Sequence, residues 1–233
     1  MYSRPPFQID RAACLAFAQA RGFGLVVAGC CDGAQPLTAS PLPFHLSYAS
    51  DGTPRVSFHV ARGNTLAALA DGRTPWLLAV AGADAYVSPD WYASPHQVPT
   101  WLYESVHLGG PVRPMSGPEL LTHLDELSEH FERQLAPKPV WQTSKMPPGR
   151  VKDMSRAIVG LVMTVEQVEG SFKLNQHKSE ADHVAVMEAL ALQKDAGAQA
   201  ISAHMRAVRP APPGTAEGSA TDRMLETQEG STS

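Results

Sequence analysis

The sequence has few cysteines, no long apolar run and little net charge, and each shortage removes a class of protein. Cys14, Cys30 and Cys31 are the only cysteines. They are odd in number and contain no C-x-x-C pair, so neither a disulfide framework nor a thiolate zinc site is expected. A reducing cytoplasm suits such a chain. No stretch approaches the roughly eighteen apolar residues of a spanning helix, and the opening MYSRPPFQID lacks the apolar core of a signal peptide. The expectation is a soluble cytoplasmic protein with no membrane partner. A net charge of -4 gives no general attraction to a phosphate backbone, so any contact with DNA requires a local basic patch.

Several catalytic signatures are missing as well. There is no G-x-x-x-x-G-K-[ST] loop, no G-x-S-x-G elbow, no H-E-x-x-H helix and no EF-hand loop. Gly22-Phe23-Gly24 opens a strand, so it does not read as a dinucleotide fingerprint. No helix-turn-helix, zinc finger or basic arm is legible.

What remains is a well-provisioned globular chain of 233 residues, 43% hydrophobic and 18% charged. The expected organisation is one compact domain over residues 1 to 208, ending in a helix, and a flexible tail over 209 to 233 that lacks apolar periodicity. Asp10 and Gly22 bracket an alanine-rich helix. A β-meander follows, with strands from residue 23 to 29 and from 43 to 48 around an Asp32-Gly33 turn. Residues 55 to 60 alternate, with Val56, Phe58 and Val60 on one face and Arg55, Ser57 and His59 on the other. Residues 64 to 70 make a short helix. Two strands are expected at 76 to 81 and 85 to 88, separated at Gly82. Residues 100 to 108 place Trp101, Tyr103, Ser105 and His107 on one face.

A helix after Gly117 and Pro118 carries Leu120, Leu124, Leu127, Phe131 and Leu135 as a docking stripe. On it His123, Glu126 and His130 fall near one face; solvent-exposed polar positions beside a leucine stripe give the same pattern as a metal site, and no metal is expected. Residues 158 to 165 are the most β-like in the chain, and 167 to 174 either pair with them or leave as an arm. One last amphipathic helix begins at Ser179. The fold class is mainly β with flanking helices.

Five dispersed segments stand out: TASPLPFH at 38 to 45, HVARGN at 59 to 64, YVSPDWY at 86 to 92, VPTWLYESVH at 98 to 107 and FKLNQHK at 172 to 178. In this order and spacing, across roughly residues 1 to 190, they resemble the PaiB family of FMN-binding negative transcriptional regulators, within the split-barrel group related to pyridoxamine phosphate oxidases. The resemblance implies a six-stranded split β-barrel, a homodimer, and FMN held at the subunit interface.

The chemistry of an FMN phosphate calls for a cation with hydroxyl and amide donors, as Arg62, Asn64, Thr38 and Ser40 offer. A lone arginine can equally cap a strand end in solvent. The isoalloxazine needs flat walls and a few directed donors, for which Trp101, Tyr103 and His107 qualify, although such aromatics also build cores and interfaces. His59 is either a ligand contact or a hydrogen-bonded surface histidine. Lys173, Gln176 and Lys178 form a solvated polar face or close over the cofactor from the partner subunit. Here KLNQHK stands where the family pattern is closer to KLSQNR, so Gln176 carries over better than His177.

The resemblance implies a regulatory flavoprotein acting through DNA or a regulatory protein partner. Two alternatives stay open: a flavin-dependent oxidoreductase using bound FMN, and a haem-binding split barrel with His59 or His107 as axial ligand.

Overall fold

The computed structural model describes residues 1, 3 to 29 and 37 to 209. The Asp32-Gly33 turn, the Cys30-Cys31 pair and the tail beyond Arg209 lie outside the described residues. These described residues cluster into two compact units, one formed by residues 1 to 83 and 103 to 173, the other by 84 to 102 and from 174 onward.

In the first unit, α1 (Arg11–Arg21) starts where the Asp10 carboxylate accepts the Ala13 N–H at 2.8 Å, and it stops at Gly22. It buries Cys14, Leu15 and Ala18, so Cys14 serves as a small hydrophobe, its thiol pushed up by burial. β1 (Phe23–Ala28) follows at once and pairs antiparallel with β2 (Thr38–Pro43). β3 (His45–Tyr48) pairs with β4 (Pro54–Ala61), whose Val56, Phe58 and Val60 face the core as the alternation requires. Asn64 caps the short α2 (Thr65–Leu69).

β5 (Pro75–Val87) is one strand, where the sequence led us to expect two. Gly82 marks a close approach and not a break. A Cβ there would meet the Phe17 ring at 2.8 Å and Glu104 Oε2 at 2.8 Å, which a strand glycine avoids.

β6 (Thr100–Pro114) is followed by α3 (Gly117–Arg133), α4 (Arg150–Ser155), β7 (Ile158–Thr164) and β8 (Gln167–Lys173). α3 opens with a capping box between Ser116 and Glu119. The sheet runs β2-β1-β5-β6-β7-β4-β3, with β8 joined to β6. It is mainly antiparallel and has eight strands, against the six that the resemblance implied. β8 pairs with β6 and not with β7. β6 serves both neighbours by changing partner: Tyr103 to Gly109 pair with β8, and Val112 to Pro114 pair with β7. At the change-over a Cβ on Gly110 would sit 1.8 Å from the Thr164 carbonyl oxygen. Only glycine fits there.

β4 pairs with β7 over its whole length, from Arg55 opposite Thr164 to Ala61 opposite Ile158. One face of β2-β1-β5 is apolar and open: Phe23, Leu25 and Val27 lie beside Pro43, Pro41 and Ala39 on one side, and Leu25 and Val27 lie beside Ala79 and Leu77 on the other. Phe23 and Leu25 are 49% and 43% exposed.

In the second unit the single expected helix is two, α5 (Glu180–Ala191) and α6 (Ala196–Val208). Asp195 recaps the chain by accepting the Ala198 N–H at 2.8 Å, a break that periodicity alone does not reveal. His183 is fully buried between Asn175 O and Met205 O. Among the described residues no helix is long and apolar enough to cross a membrane.

Candidate functional site

The polar groups expected to meet a phosphate gather where β4 ends. Strand geometry puts Thr38 and Ser40 on one face of β2. The Asn64 amide reaches that strand, its Nδ2 donating to Ser40 Oγ at 3.2 Å, while its Oδ1 accepts the Leu66 N–H at 2.9 Å. One side chain thus caps α2 and fixes the hydroxyl.

Arg62 stands two residues earlier and is exposed. It is not a loose solvent cap. Its Nε donates to Arg156 O at 2.7 Å and its Nη2 to Ile158 O at 2.9 Å, clamping the chain as it enters β7. A guanidinium has five N–H donors in a fixed fork. Two are spent on these carbonyls, which leaves three and locks the plane in which they point.

His59 lies on β4 but is neither an exposed histidine nor free at both nitrogens. Its Nδ1 is 3.1 Å from His123 Nε2 on α3, and burial pushes its pKa below the usual imidazole value. His123 itself, expected as a solvent-exposed position, is only 2% exposed. Leu120, His123 and Leu127 are the buried residues of α3, so the histidine occupies the stripe and not its border. Its spacing from Leu120 and Leu127 was the available signal.

On β6 the alternation holds. Leu102, Val106 and Leu108 are buried and Tyr103, Ser105 and His107 take the other face. Across the ladder Tyr103 faces Lys173, and His107 faces Glu169. Burial, reinforced by the nearby amino terminus and opposed by Glu169, lowers the His107 pKa.

The second unit holds Trp101, Gln176 and Lys178. Trp101 is 54% exposed and makes an edge contact with Tyr86 at 6.1 Å between ring centroids. Both line an open cleft of about 750 Å³ together with Trp91, Gln193, Lys194 and Asp195. Tyr86 and Trp91 were not singled out from the sequence, although YVSPDWY contains both. The Lys178 ammonium donates to Gln97 Oε1 at 2.6 Å and lies 5.1 Å from the Tyr92 ring centroid. Gln176 Oε1 accepts the Leu174 N–H at 2.7 Å. These two residues brace the turn after β8. Among the described residues no three His, Cys, Asp or Glu groups are arranged to hold a metal ion.

Comparison with known proteins places this geometry in context. Residues 1–167 match the family described as "Putative FMN-binding domain". The Bacillus subtilis (strain 168) "Protease synthase and sporulation protein PAI 2" is 29% identical over 184 residues, 78% of this chain and 85% of that protein. It is the PaiB protein, so the resemblance seen in the sequence is borne out. An uncharacterized protein of Emericella nidulans is 29% identical over 126 residues, where the match spans about half of each chain. Among solved structures, the "FAD and Heme binding protein from Mycobacterium smegmatis" superposes with a TM-score of 0.52 at 17% identity, covering 76% of this chain and 78% of that one. That likeness concerns the fold, a split-barrel-like sheet with flanking helices. With so much of its length inside the family match, the chain belongs to the "Putative FMN-binding domain" family.

Proposed function

We propose that this protein binds FMN as a homodimer and works as a PaiB-type negative regulator of transcription, acting through a regulatory partner or a local DNA contact. The observation that carries the reading is the hydrogen-bonded pair of Asn64 and Ser40, two residues along the chain from an Arg62 whose guanidinium is fixed by the Arg156 and Ile158 carbonyls, in a chain of the FMN-binding domain family. The donor set fits a phosphate. Three unspent guanidinium N–H groups, a hydroxyl held by an amide, and the Thr38 hydroxyl supply the charge and hydrogen bonds that a dianion demands.

When bound, FMN supplies one- and two-electron redox chemistry. The chain's own contribution is binding and orientation. Arg62 binds and orients the anion because its fork is already fixed by two carbonyls. In the second unit, Tyr86, Trp91 and Trp101 offer aromatic walls suited to a planar ring. Tyr103, His107 and Lys173 retain candidate roles on the β6-β8 face. Gln176 and Lys178 support the reading least, since their polar groups already serve the turn after β8. The His59 Nδ1 is likewise engaged, which counts against His59 as a haem ligand through that atom. The dimer finds its support in the open face of Phe23, Leu25 and Pro41, because contiguous exposed apolar surface is uncommon on monomers.

Titrating apo-protein with FMN and with riboflavin, followed by flavin fluorescence and by light scattering, tests the reading. Tight FMN binding, weaker riboflavin binding and a dimer mass are expected. Equal affinity for the two ligands, or a monomer at saturating FMN, overturns it. Rapid reduction of the bound flavin by NADH or NADPH would move the assignment to an oxidoreductase.

A further inference from the structure

Four histidines meet where α3 lies on the sheet. His45 on β3 stands opposite Ser57, and Ser57 and His59 share one face of β4. From α3, His123 meets His59 with ring centroids 5.4 Å apart, and His130 lies 5.9 Å from the His45 ring. We propose that this seam is an acid-sensitive latch: neutral imidazoles hold α3 on β3 and β4, and uptake of a proton by the His59–His123 pair releases the helix from the sheet.

The geometry leaves the pair no place for an added proton. His59 Nδ1 and His123 Nε2 share a single hydrogen bond of 3.1 Å. The other nitrogen of His123, Nδ1, is buried and has no hydrogen-bond partner among the described residues. A buried orphan N–H costs more than a buried orphan acceptor. The neutral pair therefore places the His123 proton on Nε2, donating to His59. A further proton must sit either on His123 Nδ1, where nothing accepts it, or on His59 Nδ1, where it faces the Nε2–H. Both arrangements put an unpaired charged donor into the seam.

The surrounding charges do not rescue it. From β3 comes His45, whose Nδ1 lies 3.4 Å from Glu126 Oε2 on α3. β4 adds Arg55, and β6 adds Arg113, whose Nη2 is tied to Glu119 Oε1 at 2.7 Å. β7 carries no charged side chain. α4, which also packs on α3, brings Arg150, Lys152 and Asp153. Glu126 is the carboxylate that lines the same hollow as His123 without being held by an arginine, and its near neighbour is His45. Burial, with His59 and His45 adding to it, depresses the His123 pKa to about 4.

The sign follows from linkage. The released helix binds protons at the ordinary imidazole value near 6.5, above the docked value, so docking is fully favourable above about pH 6.5 and weakens as the pH falls toward 4. At pH 5 the docked fraction relative to released should drop about tenfold to thirtyfold.

Hydrogen exchange of the full chain at pH 7 and pH 5, corrected for intrinsic rates, tests this. The expected result is a tenfold or greater loss of protection in residues 117 to 133 at pH 5, with β1 and β5 unchanged. His123→Leu, which cannot titrate, should abolish that pH difference. If His123→Leu does not fold, His123→Gln provides the same test, because the glutamine amide can still donate to His59 Nδ1 and takes no proton. An unchanged α3 in the wild type, a parallel loss across all strands, or the same acid opening in the folded variant overturns the latch.

Discussion

Two cations that look alike in the sequence are used differently, one at the exit of β4 and one after β8. Arg62 gives two N–H groups to the carbonyls of Arg156 and Ile158 and still has three to offer. Lys178 has one ammonium, and Gln97 and the Tyr92 ring share it. A guanidinium can thus be both strut and ligand, because its donors diverge from one rigid plane. An ammonium drawn onto two partners is largely committed. The difference separates a binding residue from a bracing one more sharply than charge or position does.

Replacing Arg62 is the strongest way to break that contrast. Hydrogen bonds to charged groups contribute about 1.5 to 3 kcal/mol, so Arg62→Ala should weaken FMN binding roughly tenfold to a hundredfold. It should also lower stability by about 1 to 2 kcal/mol, since two carbonyls lose their donor. Riboflavin affinity should fall much less. Equal losses for both ligands, measured by fluorescence titration, would make Arg62 a strut alone.

Asn64→Ala comes next. Losing an N-cap costs about 0.5 to 2 kcal/mol, and freeing Ser40 should weaken FMN binding several-fold. Denaturant unfolding and the same titration read both effects, and an unchanged midpoint would show that the cap carries no stability. Lys178→Met should leave FMN affinity within about twofold while lowering stability by about 1 kcal/mol, or roughly 2 to 4 °C in Tm. A tenfold affinity loss without a Tm shift would reverse the contrast. The smallest effect belongs to a chain ending at Arg209, where neither Tm nor FMN affinity should move, because the removed sequence has no apolar pattern to bury. A drop of several degrees would count against that reading.

Much of the fold was legible because its signals are local. Asp10 and Gly22 bracket α1, Asn64 starts α2, and the alternation of Val56, Phe58 and Val60 with His59 separates core from seam. The site was legible only in its residue types. Which partner each one takes depends on chain segments far away. Arg62 meets carbonyls near residue 157, and Lys178 meets Gln97. No local pattern encodes such pairings. The unbroken β5 and the divided C-terminal helix show the same limit, because Gly82 reads as a stop until Phe17 is known to press against it. His123 was misread for a related reason: a polar residue at core spacing is buried only when a second polar group meets it.

The long pairing of β4 with β7 sets a timing problem during synthesis. One edge of β4 is satisfied early by β3, but the other waits for a partner about a hundred residues further along the chain. At ribosomal rates of roughly 5 to 20 residues per second, that edge stays open for about 5 to 20 s. Throughout that interval Val56, Phe58 and Val60 stand on a strand with an unpaired row of backbone donors and acceptors, the arrangement most prone to join another nascent chain. Yield at high expression should therefore respond to translation speed between residues 61 and 158.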